Sequence, residues 1–352
     1  MLLRHTAVNC SCHCGFRSGS RLKPMKLATL KDGTRDGQLA VVSSDLSLAH
    51  LADGIAPSLQ RALDDWSFIE PQLAQLARDL AQGRAPRAFP FDPKRCMAPL
   101  PRAGQRLISC AYPHHLELLN QAQASQLHGD QRQEPAVYQS ASDDFLGAHE
   151  NTIFRNEALG IDFSAELAVI VDDVPMGANA AQSLQRVRLL MLANTWTLRL
   201  LIEDQLPGSS GFMQGIANTA FAPVAITPDE AQSDWREGRL HQRLSVHLNG
   251  RQVASPDTGT DMPLGFGELI AQAASHRSLR AGSILSTGTV SNRDAGTGWC
   301  SVAQARARQI LEGTQAQTAY LKFGDRIRIQ TSDAQGLSLF GSIEQQVIAH
   351  KA

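Results

Sequence analysis

At 352 residues the chain is long for one domain; at roughly 100–200 residues per domain it predicts two, or one large domain with an appendage. Its 33 basic and 34 acidic side chains leave no charge excess to favour nucleic acid or an anionic membrane surface, and no apolar run approaches the about eighteen residues a spanning helix needs. Hydrophobic residues make up 43% of the chain, enough for a sizeable core, and six Cys in so long a chain do not make a disulfide framework, so a reducing cytoplasm is expected.

Residues 1–24 have no periodic apolar pattern and no signal-peptide core, so they read as a disordered or spurious extension, with Met25 as the functional start. Cys10, Cys12, His13 and Cys14 are spaced too tightly for the usual zinc pattern and have no second ligand pair nearby. From Met25, MKLATLKDG and GQLAVVSSDL predict two short strands around a Lys31-Asp32-Gly33 turn. Helical patterns follow in Ser58–Trp66 and Ile69–Gln82. Gly83 and the Pro-containing stretch Arg84–Pro101 then lead out of a small N-terminal domain of residues 25–101.

From Arg102 the chain becomes strand-rich. Its organising stretch is Gly160–Gly177, GIDFSAELAVIVDDVPMG. Ile161, Phe163, Ala165 and Leu167 alternate with Asp162, Ser164, Glu166 and Ala168, while Leu167–Val171 is apolar on both faces. This predicts a strand with one end in a core and the other lining a polar cavity. Glu166 has two readings there: a ligand for a hard dication, or a solvated acid on an ordinary edge strand. Leu184, Val187, Leu190, Met191, Asn194 and Leu198 fall at helical spacing and predict a helix over Ala181–Glu203. Short strands are expected at Ala222–Ile226 and Leu244–Leu248, the latter running into an Asn249-Gly250 turn. A helix over Phe266–Ser275 and closing strands in Thr318–Thr331 and Ser338–Ile348 complete the pattern. No Gly-rich phosphate loop, G-x-S-x-G elbow or fixed repeat is present. The fold class expected is α+β, mostly β, with residues 102–352 as the large domain.

Several segments in matching order resemble the fumarylacetoacetate hydrolase family. They are MKLATLKDG, EPAVYQSASDDFLG, DFSAELAVIVDDVPMG, LLMLANTWTLRLLI, TAFAPVAITPDE, STGTVSNRD and FGSIEQQV, and together they span nearly all of Met25–Ala349. The resemblance implies a mixed β-roll with a small N-terminal α/β cap, usually as a homodimer. It also implies magnesium- or calcium-assisted cleavage of carbon–carbon bonds in small oxo-acids of the acylpyruvate type, such as fumarylacetoacetate, met in aromatic amino acid catabolism. Relatives of the 2-keto-4-pentenoate hydratase and oxaloacetate decarboxylase types are alternatives. In such a site the ion polarises keto or enol oxygens, a His held by a Glu activates water, and a Lys and an Arg favour the oxyanion.

Laid on the family pattern, this sequence keeps some groups and lacks others. The resemblance makes Glu166 a metal ligand, His115 the catalytic base, and Tyr138, Arg199 and Thr289 substrate contacts. His114 competes with His115, because Glu117 lies three residues from it. The Glu-x-Glu pair, whose carboxylates lie roughly 7 Å apart on one strand face, reads Ser164-x-Glu166. The Asn-Asp pair reads Asn194-Thr195, the Asp upstream of the His reads Ile108, the Lys reads Ile216, and the Glu that orients the His reads Gln304. Glu134, Asp143, Asp144, Asp162, Glu203 and Asp204 are the nearby acids available to rebuild an ion site. Magnesium or calcium is therefore expected to bind weakly or not at all. Two functions stand: a fumarylacetoacetase-like enzyme, or an inactive paralogue that serves as a binding or regulatory subunit.

Overall fold

The computed structural model describes residues 23–123, 137–205, 214–313, 315–333 and 335–351. The Cys10–Cys14 cluster and Glu134 lie outside the described residues, as do the side chains of Glu203 and Asp204.

Two sheets hold the molecule together. In the larger, twelve strands are joined, and the main path runs Phe89–Pro90, Leu48–Leu51, Gln38–Val42, Lys26–Leu30, Ala225–Ile226, Val187–Leu198, Ala165–Val171, Ser283–Ser286, Arg106–Ser109, Val137–Ser140. Ile216–Phe221 and Ile161–Asp162 pair with Val187–Leu198 off that path. The N-terminal strands therefore extend the same sheet, with Lys26 opposite Ile226. The second sheet has five strands in the order Arg251–Ala254, Arg243–Leu248, Arg326–Ser332, Ser342–Ala349, Thr152–Phe154. Asn249 and Gly250 both take positive φ, 51° and 82°, the mirror-image hairpin turn that Asn-Gly favours. The mixed pairing and the N-terminal helices Leu59–Asp64 and Trp66–Ala81 give the expected α+β roll.

One face of the large sheet packs Ala168, Ile170, Leu189, Met191 and Ile284 against Leu59, Leu63, Ile69 and Leu73 of those helices. The opposite face packs Leu167, Val169, Leu192 and Trp196 against Val246, Ile329, Ile343 and Val347 of the second sheet. Each such aliphatic side chain contributes about 1.5–3 kcal/mol when fully buried. Trp196 is fully buried and donates its indole N–H to Gln345 Oε1 at 2.9 Å, which pins the two sheets together.

Two sequence expectations are corrected. Val187–Leu198 is a twelve-residue strand; helix occurs only on its flanks, at Ala180–Leu184 and Arg199–Gln205. The residues at helical spacing there belong to a run that is apolar on both faces. Periodicity cannot separate a buried strand from a buried helix in such a run. Ala165–Val171 is central, paired on both sides and wholly buried, so Glu166 is no solvated edge residue. Two helices were not anticipated, Pro113–Gln123 and Val302–Leu311. Ser301 caps the second by accepting from Gln304 N at 3.1 Å.

Candidate functional site

Sheet register brings the site together. On one face of the large sheet Glu166 stands beside Ala193, and Thr195 follows two residues along the same strand. On the other side of Ala165–Val171, Ser286 faces both Ala168 and Ile108, and Ile108 faces Tyr138. Arg106 shares the face of Ile108, since residues two apart on a strand project the same way. The apolar core under this face thus ends in a polar cluster of Arg106, Ser164, Glu166, Thr195, Ser286 and Thr289.

Arg106 is the centre of that cluster. Its guanidinium is fully buried, lies 3.5 Å from Glu166 Oε2, and donates from Nη2 to Thr195 Oγ1 at 2.8 Å. Glu166 Oε1 accepts from Ser164 Oγ at 2.9 Å, and Ser164 Oγ shares a 2.7 Å hydrogen bond with Thr289 Oγ1. Ser164 N donates to Asn194 Oδ1 at 3.3 Å, and Asn194 Nδ2 donates to Gln345 Oε1 at 3.1 Å. Burial lowers the Arg106 pKa while Glu166 and then Tyr138 oppose that shift; at physiological pH the group stays a cation. Ser164 and Thr195, neutral where the resemblance asks for carboxylates, are the hydrogen-bond partners of this ion pair. A positive charge therefore sits among Glu166, Ser164 and Thr195, supplied by the chain itself.

The donor set does not fit a divalent cation. Hard cations take several oxygen ligands and usually more than one carboxylate. Among the described residues no group of three or more His, Cys, Asp or Glu is placed to hold an ion. Asp143 and Asp144 are exposed. Asp162 is fully buried and engaged elsewhere: Arg199 Nε reaches it at 3.1 Å, and it accepts from the amides of Val302 at 2.6 Å, Ala303 at 3.0 Å and Phe163 at 2.8 Å. Burial raises that carboxyl, while Arg199 and the three amides oppose the rise.

The other expected site residues fall around this centre. Arg199 is spent in part on Asp162, yet it is near enough to the site to help depress His115. Tyr138 is partly buried on Val137–Ser140, its phenol pushed up by burial, then by Cys110 and Glu166. Cys110 is held at about 11 by burial and Glu166, too high for a reactive thiolate. Thr289 is held against Ser164 by the Ser286–Thr289 turn. That turn needs Gly288, whose φ is +70° and whose missing Cβ would lie 2.4 Å from the Ser109 carbonyl oxygen.

The two histidines differ in their surroundings. His115 is buried, its Nδ1 has no partner among the described residues, and burial followed by Arg199 and His114 lowers it to about 3. Gln304, at the orienting position, serves His114 instead: Gln304 Nε2 donates to Ser291 Oγ at 2.8 Å, and Ser291 Oγ is 3.0 Å from His114 Nδ1. His114 lines a cleft of about 280 Å3 with Pro113, Gly259, Asp261, Met262, Pro263 and Arg293. Glu117 bonds Arg293 at 2.9 Å and acts on His114 as a nearby charge that opposes the lowering of its pKa. Ile216 is buried in its strand and offers no cation.

Sequence reasoning missed Arg106, Ser291 and Gln345. Arg106 did leave a signal: a cation two residues before Ile108, on the same face of an otherwise apolar strand.

Comparison with known proteins identifies the fold and the family. The family model for the fumarylacetoacetase N-terminal domain 2 matches residues 25–102, and that for the fumarylacetoacetate hydrolase C-terminal domain matches residues 107–348. A sequence comparison with curated proteins finds no match. Among solved structures, a probable 2-hydroxyhepta-2,4-diene-1,7-dioate isomerase from Mycobacterium abscessus is 19% identical with a TM-score of 0.62, over 94% of this chain and 100% of its own. Fumarylacetoacetate hydrolase from Exiguobacterium antarcticum is 17% identical with a TM-score of 0.61, over 93% of this chain and 100% of its own. Maleylpyruvate hydrolase from Sphingobium sp. SYK-6, in complex with manganese(II) and pyruvate, is 16% identical with a TM-score of 0.61 over the same shares, 93% and 100%. Those likenesses concern the fold; with both family domains matched in order, the chain belongs to the fumarylacetoacetate hydrolase family.

Proposed function

We propose that this protein binds a small oxo-acid in the family site and does not carry out the dication-dependent carbon–carbon bond cleavage of its relatives. The observation that carries this reading is the Arg106 guanidinium bonded to Thr195 and paired with Glu166. A dication entering there meets one carboxylate already neutralised by an internal cation, so the like charge repels it and the remaining ligands hold it weakly. A neighbour crystallised with manganese(II) and pyruvate supports the substrate class. We further propose a homodimer, as the family resemblance implies, and light scattering that reports a monomer at micromolar concentration would sink that part.

A second reading, hydrolase or isomerase chemistry without a metal, is favoured by the Gln304–Ser291–His114 relay. Burial, then Arg308 and Arg293, lower His114, so it is neutral at pH 7. In the tautomer that donates Nδ1–H to Ser291 Oγ, its Nε2 is able to take a proton.

An acylpyruvate turnover assay with manganese, with magnesium and with EDTA separates the two. The first reading expects no turnover under any condition. Turnover in EDTA that disappears in His114→Gln establishes the second. Turnover that requires the dication, at an ordinary enzyme rate of about 1–1,000 per second, overturns both.

A further inference from the structure

Burying a guanidinium costs several kcal/mol unless its donors are satisfied. Arg106 meets that condition only in part. Nη2 is engaged, but Nε and Nη1 are buried with no hydrogen-bond partner among the described residues, and the same holds for the hydroxyl of fully buried Ser286. Buried polar groups of native proteins are nearly always satisfied, by protein, water or ligand. Here the unmet groups are mainly donors, gathered on one face of adjacent strands around a fixed positive charge. One unmet acceptor, Glu166 Oε2, accompanies them.

We infer that Arg106 replaces the divalent cation as the anchor of the ligand, so that this protein holds the carboxylate of a small 2-oxo acid directly on a guanidinium and without metal. This rests on the oxo-acid reading above. The chemistry of the donors selects the ligand class. Carboxylate and keto oxygens only accept, and a planar guanidinium offers donors in a fixed fork that suits them better than an ammonium does. Thr195 fixes the fork by taking one Nη2 hydrogen, and the Ser164–Thr289 pair fixes Glu166. Cys110, two residues beyond Ile108 on the same face, and Tyr138, paired with Ile108, are partly exposed.

The two kinds of anchor differ in the sign of one mutational effect. Where a dication holds the ligand, Glu166 is a ligand of the ion and its neutralisation weakens binding. Where Arg106 holds it, Glu166 competes with the ligand carboxylate for the same cation, and its neutralisation strengthens binding.

The test is calorimetric titration of pyruvate into the full-length protein, in EDTA and in excess magnesium. The wild type is expected to bind with the same Kd in both. Glu166→Gln keeps the shape of the side chain and should tighten pyruvate by about tenfold or more, whereas Arg106→Lys should loosen it by about tenfold. Circular dichroism checks the fold of each variant, and Glu166→Gln decides the matter should Arg106→Lys not fold. Binding that appears only with magnesium, Glu166→Gln that weakens binding, or a folded Arg106→Lys that leaves it unchanged overturns the inference alone. No binding of pyruvate in either buffer removes the oxo-acid reading itself.

Discussion

Removing the Arg106 guanidinium is the perturbation whose cost the structure defines best. At 3.5 Å from Glu166, with both side chains essentially buried, the pair attracts by about 5 kcal/mol at an effective dielectric near 20. Arg106→Met deletes that attraction and the 2.8 Å bond to Thr195, and leaves the Glu166 carboxylate buried with Ser164 as its hydrogen-bond partner. Part of the loss is offset, because the unmet Nε and Nη1 leave with the group. Breaking buried pairs from one side costs about 3–5 kcal/mol, and that range is expected here at neutral pH. Arg106→Met with Glu166→Gln removes both charges and should return to within about 1 kcal/mol of the wild type or exceed it. Urea unfolding at pH 8 reads all three proteins. A single variant within about 1 kcal/mol of the wild type at pH 8 would refute the account of the pair, as would a double variant no better than the single.

Three further outcomes follow from the same geometry. His115, lowered to about 3 in the fold, takes a proton mainly in the unfolded chain below pH 6.5, so the wild type should lose about 2 kcal/mol from this group between pH 6.5 and 5. His115→Gln should flatten that segment of the stability–pH curve in urea unfolding, and an unchanged slope would show that His115 is not the group responsible. Gln345→Leu strands the Trp196 indole N–H and the Asn194 amide and should cost about 2–4 kcal/mol by urea unfolding; a loss under about 1 kcal/mol would mean the two sheets are not coupled there. Ser164→Glu with Thr195→Asp restores acidic side chains, yet it should still fail to take manganese by calorimetry while Arg106 remains. Adding Arg106→Leu should create micromolar binding, and equal binding with Arg106 retained would contradict the placement of the cation.

The fold was legible because several segments kept both identity and order. Short period-2 strands and the Asn249-Gly250 turn encode their own geometry locally. Val187–Leu198 was not legible in that way, since a strand buried on both faces carries no alternation and its apolar run also fits helical spacing. At the site, the resemblance marked Ile108, Ser164 and Thr195 as uncharged where it implies carboxylates. Their setting depended on a contact between Arg106 and residues sixty and eighty-nine positions away, which no local pattern reports. The choice between His114 and His115 was not legible for a related reason. Gln304 reaches His114 through Ser291, and a two-step hydrogen-bond path leaves no spacing signature.

The central claim is that the positive charge of this site belongs to the chain and leaves no place for a dication. Titrating manganese into the full-length wild-type protein, followed by calorimetry with and without pyruvate, addresses it most directly. One neutralised carboxylate predicts a Kd no tighter than about 1 mM, unchanged by pyruvate. A Kd below about 10 μM, or one that tightens when pyruvate is present, would contradict the claim, because a hard dication bound so tightly requires carboxylates that Arg106 does not neutralise.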